Sequence, residues 1–271
     1  MRNWPFWVGC LAAAAIIIVY LLFFRDGPPE PVLDPVPAPG RTTTLPPAIE
    51  HPIEQAAEGS ADAEPVLDPE RPLPQLQQSD DQMKEILGRL FAEQNLGRFF
   101  LLEHIIERFV VMVDNLPRQS LPVTHRPLKK IPGSFEVEGP SDAMVIAPAN
   151  YRRYAPVIGL LEKADVRQVV AVYVKLYPLF QQTYEKLGYP EGYFNDRLVE
   201  VIDHLLATPV VHDPVRVIRP KTLYLFADPA LEAFSAGRKI LIRTGPDNAE
   251  RIKNLLRTYR QALTKTGPGN G

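Results

Sequence analysis

Residues 4–24, WPFWVGCLAAAAIIIVYLLFF, carry no charge and are apolar almost throughout. About 20 such residues at 1.5 Å rise span a hydrocarbon core of about 30 Å, so the run predicts a single transmembrane helix. Trp4, Trp7, Tyr20, Phe23 and Phe24 place rings near both ends, where an interfacial belt belongs, and Pro5 falls at the helix start. A cleaved leader describes the segment less well. Its apolar stretch would be about 7 to 15 residues and end at small residues, whereas Ala12 to Ala15 are followed by nine more apolar residues. Cys10 after Val8 and Gly9 imitates a lipoprotein cysteine, yet few apolar residues precede it. That cysteine is the chain's only one, so no disulfide can form within the chain.

Orientation follows from what comes next. Residues 26–75 hold only Arg41 and Arg71 as cations, a composition that translocates easily, so the expected topology is a cytoplasmic N-terminus with the rest outside. The same stretch has 13 of the 29 prolines and 10 carboxylates, a net charge of 2 − 10 = −8. It is expected to be a disordered, acidic, Pro-rich linker in extended form. The hexapeptide EPVLDP occurs at 30–35 and again at 64–69; duplication in low-complexity sequence accounts for it more readily than a docking motif does.

The expected organisation is therefore an anchor at 1–25, the linker at 26–75 and one globular domain at 76–271. The domain has 26 cations against 22 carboxylates, hence +4. Ser79 with Gln82 reads as a capping box, followed by Met83, Ile86, Leu87, Leu90 and Phe91 at helical spacing. A second helix is expected from about Phe99 to Val113, then a proline-containing loop over 118–132. Phe135 and Val137 alternate with polar neighbours before Gly139-Pro140, and Met144 with Ile146 after it, which predicts a hairpin. Helices are expected after Asn150, after Asp165 towards Leu187, with Pro178 inside and Gly188 at the end, and after Asn195 to Leu206. Val215–Ile218 and Leu223–Phe226 read as a second strand pair. Asp228-Pro229 and Gly245-Pro246 open further helices, with Ser235 to Gly237 read as ending the first. The fold class expected is mainly α (α+β), with one or two small antiparallel hairpins.

Several stretches in this domain carry a resemblance: LPQL (73–76), RFVVMVDNLP (108–117), NYRRYAP (150–156), YPLFQQTYEKLGYPEGYFNDRLVEVIDHLLATP (177–209) and LFADPALEAFSAGRKILIRTGPDNAERIKNLL (225–256). They resemble the bacterial domain-of-unknown-function family 3014. The resemblance implies a bacterial protein with an N-terminal span, here an inner-membrane, single-pass protein with a periplasmic domain. It brings no activity, ligand or catalytic residue.

The residues themselves offer four candidate sites. Glu200 and His204 share a helical face with Asp203 beside them, the group to test first for catalysis or metal, although two ligands facing one way are short of the three or four a metal needs. No HExxH or CxxC spacing exists, and no cofactor or metal site is expected. Ser235, Ser141 and Thr208 are available nucleophiles, none in a GxSxG context. Tyr151, Tyr154, Tyr173, Tyr177, Tyr184, Tyr189 and Tyr193 crowd into one region; they could line a groove, but their helical spacing points most of them at the core. Arg238, Lys239, Arg243, Arg257 and Arg260 lie in a basic C-terminal stretch, expected to send cations outwards while Ile240, Leu241 and Ile242 point inwards. With Tyr189 and Tyr193 they form the candidate partner surface. A domain at +4 outside the membrane, without a helix-turn-helix or finger pattern, does not fit nucleic acid. The expected function is a tethered interaction or scaffold module contacting an envelope protein or wall component. The alternatives are a membrane-tethered enzyme acting on envelope polymers and an anionic-ligand binder.

Overall fold

The computed structural model describes residues 48–264, apart from 62–65, 67, 69, 92–99, 126–128, 130, 132 and 213. The apolar run at 4–24 lies outside the described residues. Among the described residues no helix is long and apolar enough to cross a membrane.

The architecture is mainly helical. In chain order it comprises α1 (Ile53–Ser60), α2 (Ser79–Phe91), α3 (Ile105–Asn115), β1 (Val137–Glu138), β2 (Val145–Ile146), α4 (Pro148–Leu161), α5 (Val166–Lys186), α6 (Phe194–Leu206), β3 (Val217–Ile218), β4 (Leu225–Phe226), α7 (Pro229–Glu232), α8 (Ala236–Arg243) and α9 (Pro246–Thr264). Helix α5 starts because Asp165 accepts from the Arg167 backbone N–H, and it stops just before Gly188, whose φ of +107° only glycine adopts freely. Its buried residues run from Val169 to Tyr184 on more than one face, and α1, α3, α6 and α9 pack around it. Pro178 sits inside this helix without ending it.

Aromatic rings fill the junction of α3, α5 and α6. Phe109 meets Phe180 edge-on at 5.5 Å and Phe194 at 6.1 Å, and Tyr184 lies 5.5 Å from Phe194. Such offset and edge contacts add about 0.5–1.5 kcal/mol each beyond the apolar area they bury. Tyr154, Tyr173, Tyr177 and Tyr184 are all buried, so the tyrosine excess is largely core. Burial pushes Tyr154 and Tyr184 up to about 12, and both stay neutral phenols at any physiological pH.

The two hairpins form where alternation predicts them. Val137 pairs with Ile146 and Val217 with Phe226, both antiparallel. A bridge between Val145 and Arg216, with Ile146 N–H donating to Val215 O at 3.0 Å and Val217 N–H to Met144 O at 2.9 Å, lays the hairpins side by side. Ile146, Val215, Val217 and Phe226 close a smaller core against Ile242 of α8.

Four expectations are corrected. The stretch 26–75 is not linker throughout: residues 53–60 form α1, and Ala56 is fully buried against the domain. Ser79 does not make a capping box; its hydroxyl donates to Leu76 O at 2.7 Å, because a 3-10 turn at Leu76–Gln78 runs straight into α2. Helix α3 begins at Ile105 rather than near Phe99. Ser235 to Gly237 begin a helix instead of ending one, with Ser235 Oγ accepting from Arg238 N–H at 3.3 Å.

Gly245 joins α8 to α9 at φ +89°, and a Cβ there would stand 2.5 Å from the Tyr151 ring. Gly245→Ala should therefore destabilise the domain by about 1–3 kcal/mol, from backbone strain and overpacking together. Urea unfolding of the purified protein measures it.

Candidate functional site

Polar side chains line one side of α6, with the Gly188–Tyr193 turn near its start, the first turn of α8 near its end and the loop after α3 alongside. The turn brings Tyr189 back over Tyr184, the rings stacked at 4.6 Å. Gly192 permits this closeness, since a Cβ there would lie 2.8 Å from the Tyr184 ring. Asp114, at the buried end of α3, accepts from Arg118 at 2.6 Å and from the Tyr189 hydroxyl at 3.3 Å, and pairs with Arg197 of α6 at 3.2 Å. Arg197 also donates to Asp114 O at 2.9 Å and to Glu200 at 2.8 Å. Burial works against the Arg197 charge, but the Glu200 hydrogen bond and the Glu200 and Asp114 charges outweigh it and hold its pKa above the usual value.

The next turn of α6 presents His204. Its Nε2 lies 2.7 Å from Ser235 Oγ, and its carbonyl accepts from Arg238 Nε at 3.0 Å. Burial first, then the Arg238 charge, push His204 below its ordinary 6.5. A serine beside a neutral histidine at a helix N-terminus has the outline of a nucleophile and its base. The amides that would stabilise an oxyanion there are already committed: Ala236 N–H donates to Arg118 O at 2.7 Å and Gly237 N–H to Leu116 O at 2.9 Å. Ser235 is itself buried at 6 % exposure. The contact pins α8 against α6 and the end of α3.

A second polar cluster sits at the start of α6. Asp196 accepts from two successive backbone N–H groups, Glu50 at 3.1 Å and His51 at 2.7 Å. Asn195 Nδ2 donates to His51 O at 2.8 Å, and the Tyr193 hydroxyl accepts from Ile53 N–H at 2.8 Å. Pro52, the N-cap of α1, offers no capping side chain, so Tyr193 supplies the acceptor from another helix. Asn195 is completely buried, and Tyr173 and Tyr177 hold it from beneath through its Oδ1 and its backbone N–H, both at 3.3 Å.

Of the expected catalytic group, Glu200 and His204 do share a face but have separate partners, and Asp203 points elsewhere, bound by both arms of Arg260 at 2.5 and 2.9 Å. Among the described residues no three His, Cys, Asp or Glu side chains stand together as a metal site. Much of the basic stretch has carboxylate partners within the domain, while Arg257 and Arg260 stay partly open to solvent. Lys239 pairs with Glu232 at 2.9 Å, Arg257 with Glu250 at 2.9 Å and Arg251 with Glu162 at 2.5 Å. Arg243, expected outside, is half-buried: it donates to Tyr224 O at 2.8 Å and stacks 4.8 Å from the Phe226 ring, and burial lowers it to about 10.

Sequence reasoning missed the capture of residues 50–53 altogether. The helix-start pattern was present in HPIEQAAEGS, with Glu54 in the first turn and Ile53, Ala56 and Ser60 on one face. Proline density and acidity outweighed it. Asn195 reads as a helix start and Tyr193 as part of a partner surface, because nothing local reveals that the groups these side chains satisfy lie 140 or more residues away.

Two outcomes follow from this geometry. Asp114→Ala strips Arg197, whose side chain is 18 % exposed, of its deepest counter-charge, and should cost about 3 kcal/mol in denaturant unfolding. The folded state also disfavours the His204 proton, so the stability it leaves intact above pH 6.5 is lost as pH falls below 6.5 and the unfolded chain takes up the proton. His204→Gln should flatten the decline of the thermal midpoint on acidification from about pH 6.5 to 5.5.

The family described as Protein of unknown function (DUF3014) matches residues 105–260. No curated protein and no solved structure matches the chain. The matched stretch exceeds half of the chain and holds Asp114, Arg197, His204 and Ser235 as well as the Tyr193–Asp196 cluster. This chain belongs to the DUF3014 family.

Proposed function

We propose that the chain is a single-pass inner-membrane protein whose helical domain works in the periplasm as a non-catalytic interaction module, held close to the membrane. The observation that carries this reading is the capture of residues 50–53 by Tyr193, Asn195 and Asp196. It makes the segment nearest the apolar run an integral part of the folded domain. Only residues 25–47 then separate the domain from the proposed span, a reach of at most about 80 Å even fully extended. A module on such a leash samples a thin layer above the bilayer, which suits contact with an envelope protein or wall component.

The partner surface is expected to work through shape and local hydrogen bonding rather than bulk positive charge, since Lys239, Arg257 and Arg260 already have carboxylate partners. The same pairing counts against a binder of small anions. An enzyme acting on envelope polymers is the second reading, favoured by the His204–Ser235 contact at 2.7 Å. Against it stand the burial of Ser235 and the prior use of the neighbouring amides.

A fusion of alkaline phosphatase after Gly271 should be active in bacterial cells, and a green fluorescent protein fusion at the same place dark after export through the general secretory route. The opposite pair of results would sink the assignment of compartment.

A further inference from the structure

We infer that the groove between α5 and α9, with Tyr193, Asn195 and Asp196 at its mouth, is a peptide-docking site filled here by the chain's own residues 49–60. Its ligand class is a peptide that bends just before a proline and then turns into a helix with small or apolar residues on one face. The inference rests on the interaction-module reading and names where that module binds.

The mouth reads backbone. Asp196 takes the N–H groups of residues 50 and 51, Asn195 the carbonyl of 51, and Tyr193 the N–H of 53. Residue 52, the one position skipped, is proline and has no N–H to satisfy. Such contacts recognise a path and a proline, and leave most side chains of the peptide unconstrained. The Asp196 charge also lies at the N-terminal end of the incoming helix, where a carboxylate is favoured. Below the mouth, α1 lies against α5 and α9, with Ala56 fully buried and Ser60 at 6 % exposure. A charged side chain at Ala56 would be forced into the apolar core.

The mouth is also built in advance. Tyr173 and Tyr177 fix Asn195 from the core, and Tyr193 packs 5.4 Å from the Tyr177 ring, so little ordering cost falls on binding. The residues of the mouth, α5 and nearly all of α9 lie inside the stretch 105–260 that matches the family, whereas residues 49–60 lie outside it. The mouth and most of the groove's walls thus lie in the part of the chain that matches the family. A segment joined by a short connection also holds its site at a high effective concentration. A partner peptide must outcompete it, which makes the cis segment a built-in competitor.

The test uses the full chain in detergent micelles and a fluorescein-labelled synthetic peptide of residues 48–61. Ala56→Glu in the chain places a carboxylate on the buried face of the occupant and leaves the groove untouched. The variant should bind the labelled peptide saturably, at least tenfold tighter than the parent chain does. Adding Asp196→Asn should weaken that binding tenfold or more, and a peptide carrying Ala56→Glu should not bind. A folded Ala56→Glu chain that binds no peptide, or binds it regardless of Asp196→Asn, overturns the inference. Should Ala56→Glu not fold, a protease site inserted between Ala61 and Glu70 frees the segment instead. Exchange of the labelled peptide into the cleaved protein supports the site, and its exclusion overturns it. Loss of peptide binding with the phosphatase fusion still active removes the groove and leaves the anchored module. The reverse result removes the anchoring and leaves the groove.

Discussion

Helix α5 is buried over a wide arc along most of its length. Val170, Tyr173, Tyr177 and Tyr184 on one side, with Val172, Leu176 and Leu179 on the other, cover too wide an arc for one neighbour to bury. Four helices close around it, and Phe194 of α6 slots between Phe109 and Phe180 at the point where three of them meet. A helix covered on several sides draws the ends of its neighbours towards the interior. Each of those ends arrives with backbone groups that have no partner within their own helix.

The domain answers that requirement with side chains borrowed from other helices. Asp80 of α2 takes the N–H groups of His104 and Ile105 at the start of α3, at 2.7 and 3.1 Å. Asp196 of α6 performs the same service for the residues leading into α1. Away from the helix ends, buried Asn248 of α9 also ties to α4 by donating to Tyr151 O at 2.8 Å, and buried Asn150 of α4 reaches the Glu136 backbone beside β1. Lys253 of α9 donates to Thr208 O just beyond α6. Losing one such side chain orphans groups on two elements at once, so its energetic effect spreads beyond its own helix.

This division explains what could be read in the sequence. Features set by neighbours in the chain were legible: the Asp165 cap, the Asp228-Pro229 and Gly245-Pro246 starts, the glycine after α5 and the alternation in both hairpins. Ile240, Leu241 and Ile242 point inwards as their spacing required. Features set by distant partners were not. Arg243 looks like a surface cation until Phe226 and the Tyr224 carbonyl are placed beside it. Ser235 and His204 were each visible as candidates, yet only the fold puts them 2.7 Å apart, and only the fold shows that the adjacent amides are spent on the α3 loop.

The same borrowing of caps gives the N-terminal segment its importance. Residues 50–53 hang on Asn195 and Asp196, Asn195 rests on Tyr173 and Tyr177, and the Tyr173 ring packs 5.3 Å from Phe180 in the aromatic junction. A chain of direct contacts thus joins the segment nearest the apolar run to the centre of the core. With a flexible linker continuing to residue 75, position and core would be mechanically independent. With α1 docked, whatever occupies the groove between α5 and α9 also sets how much chain separates the domain from residue 24. Occupancy of the groove and reach of the domain are then two readings of one equilibrium, because the helix that fills the first limits the second.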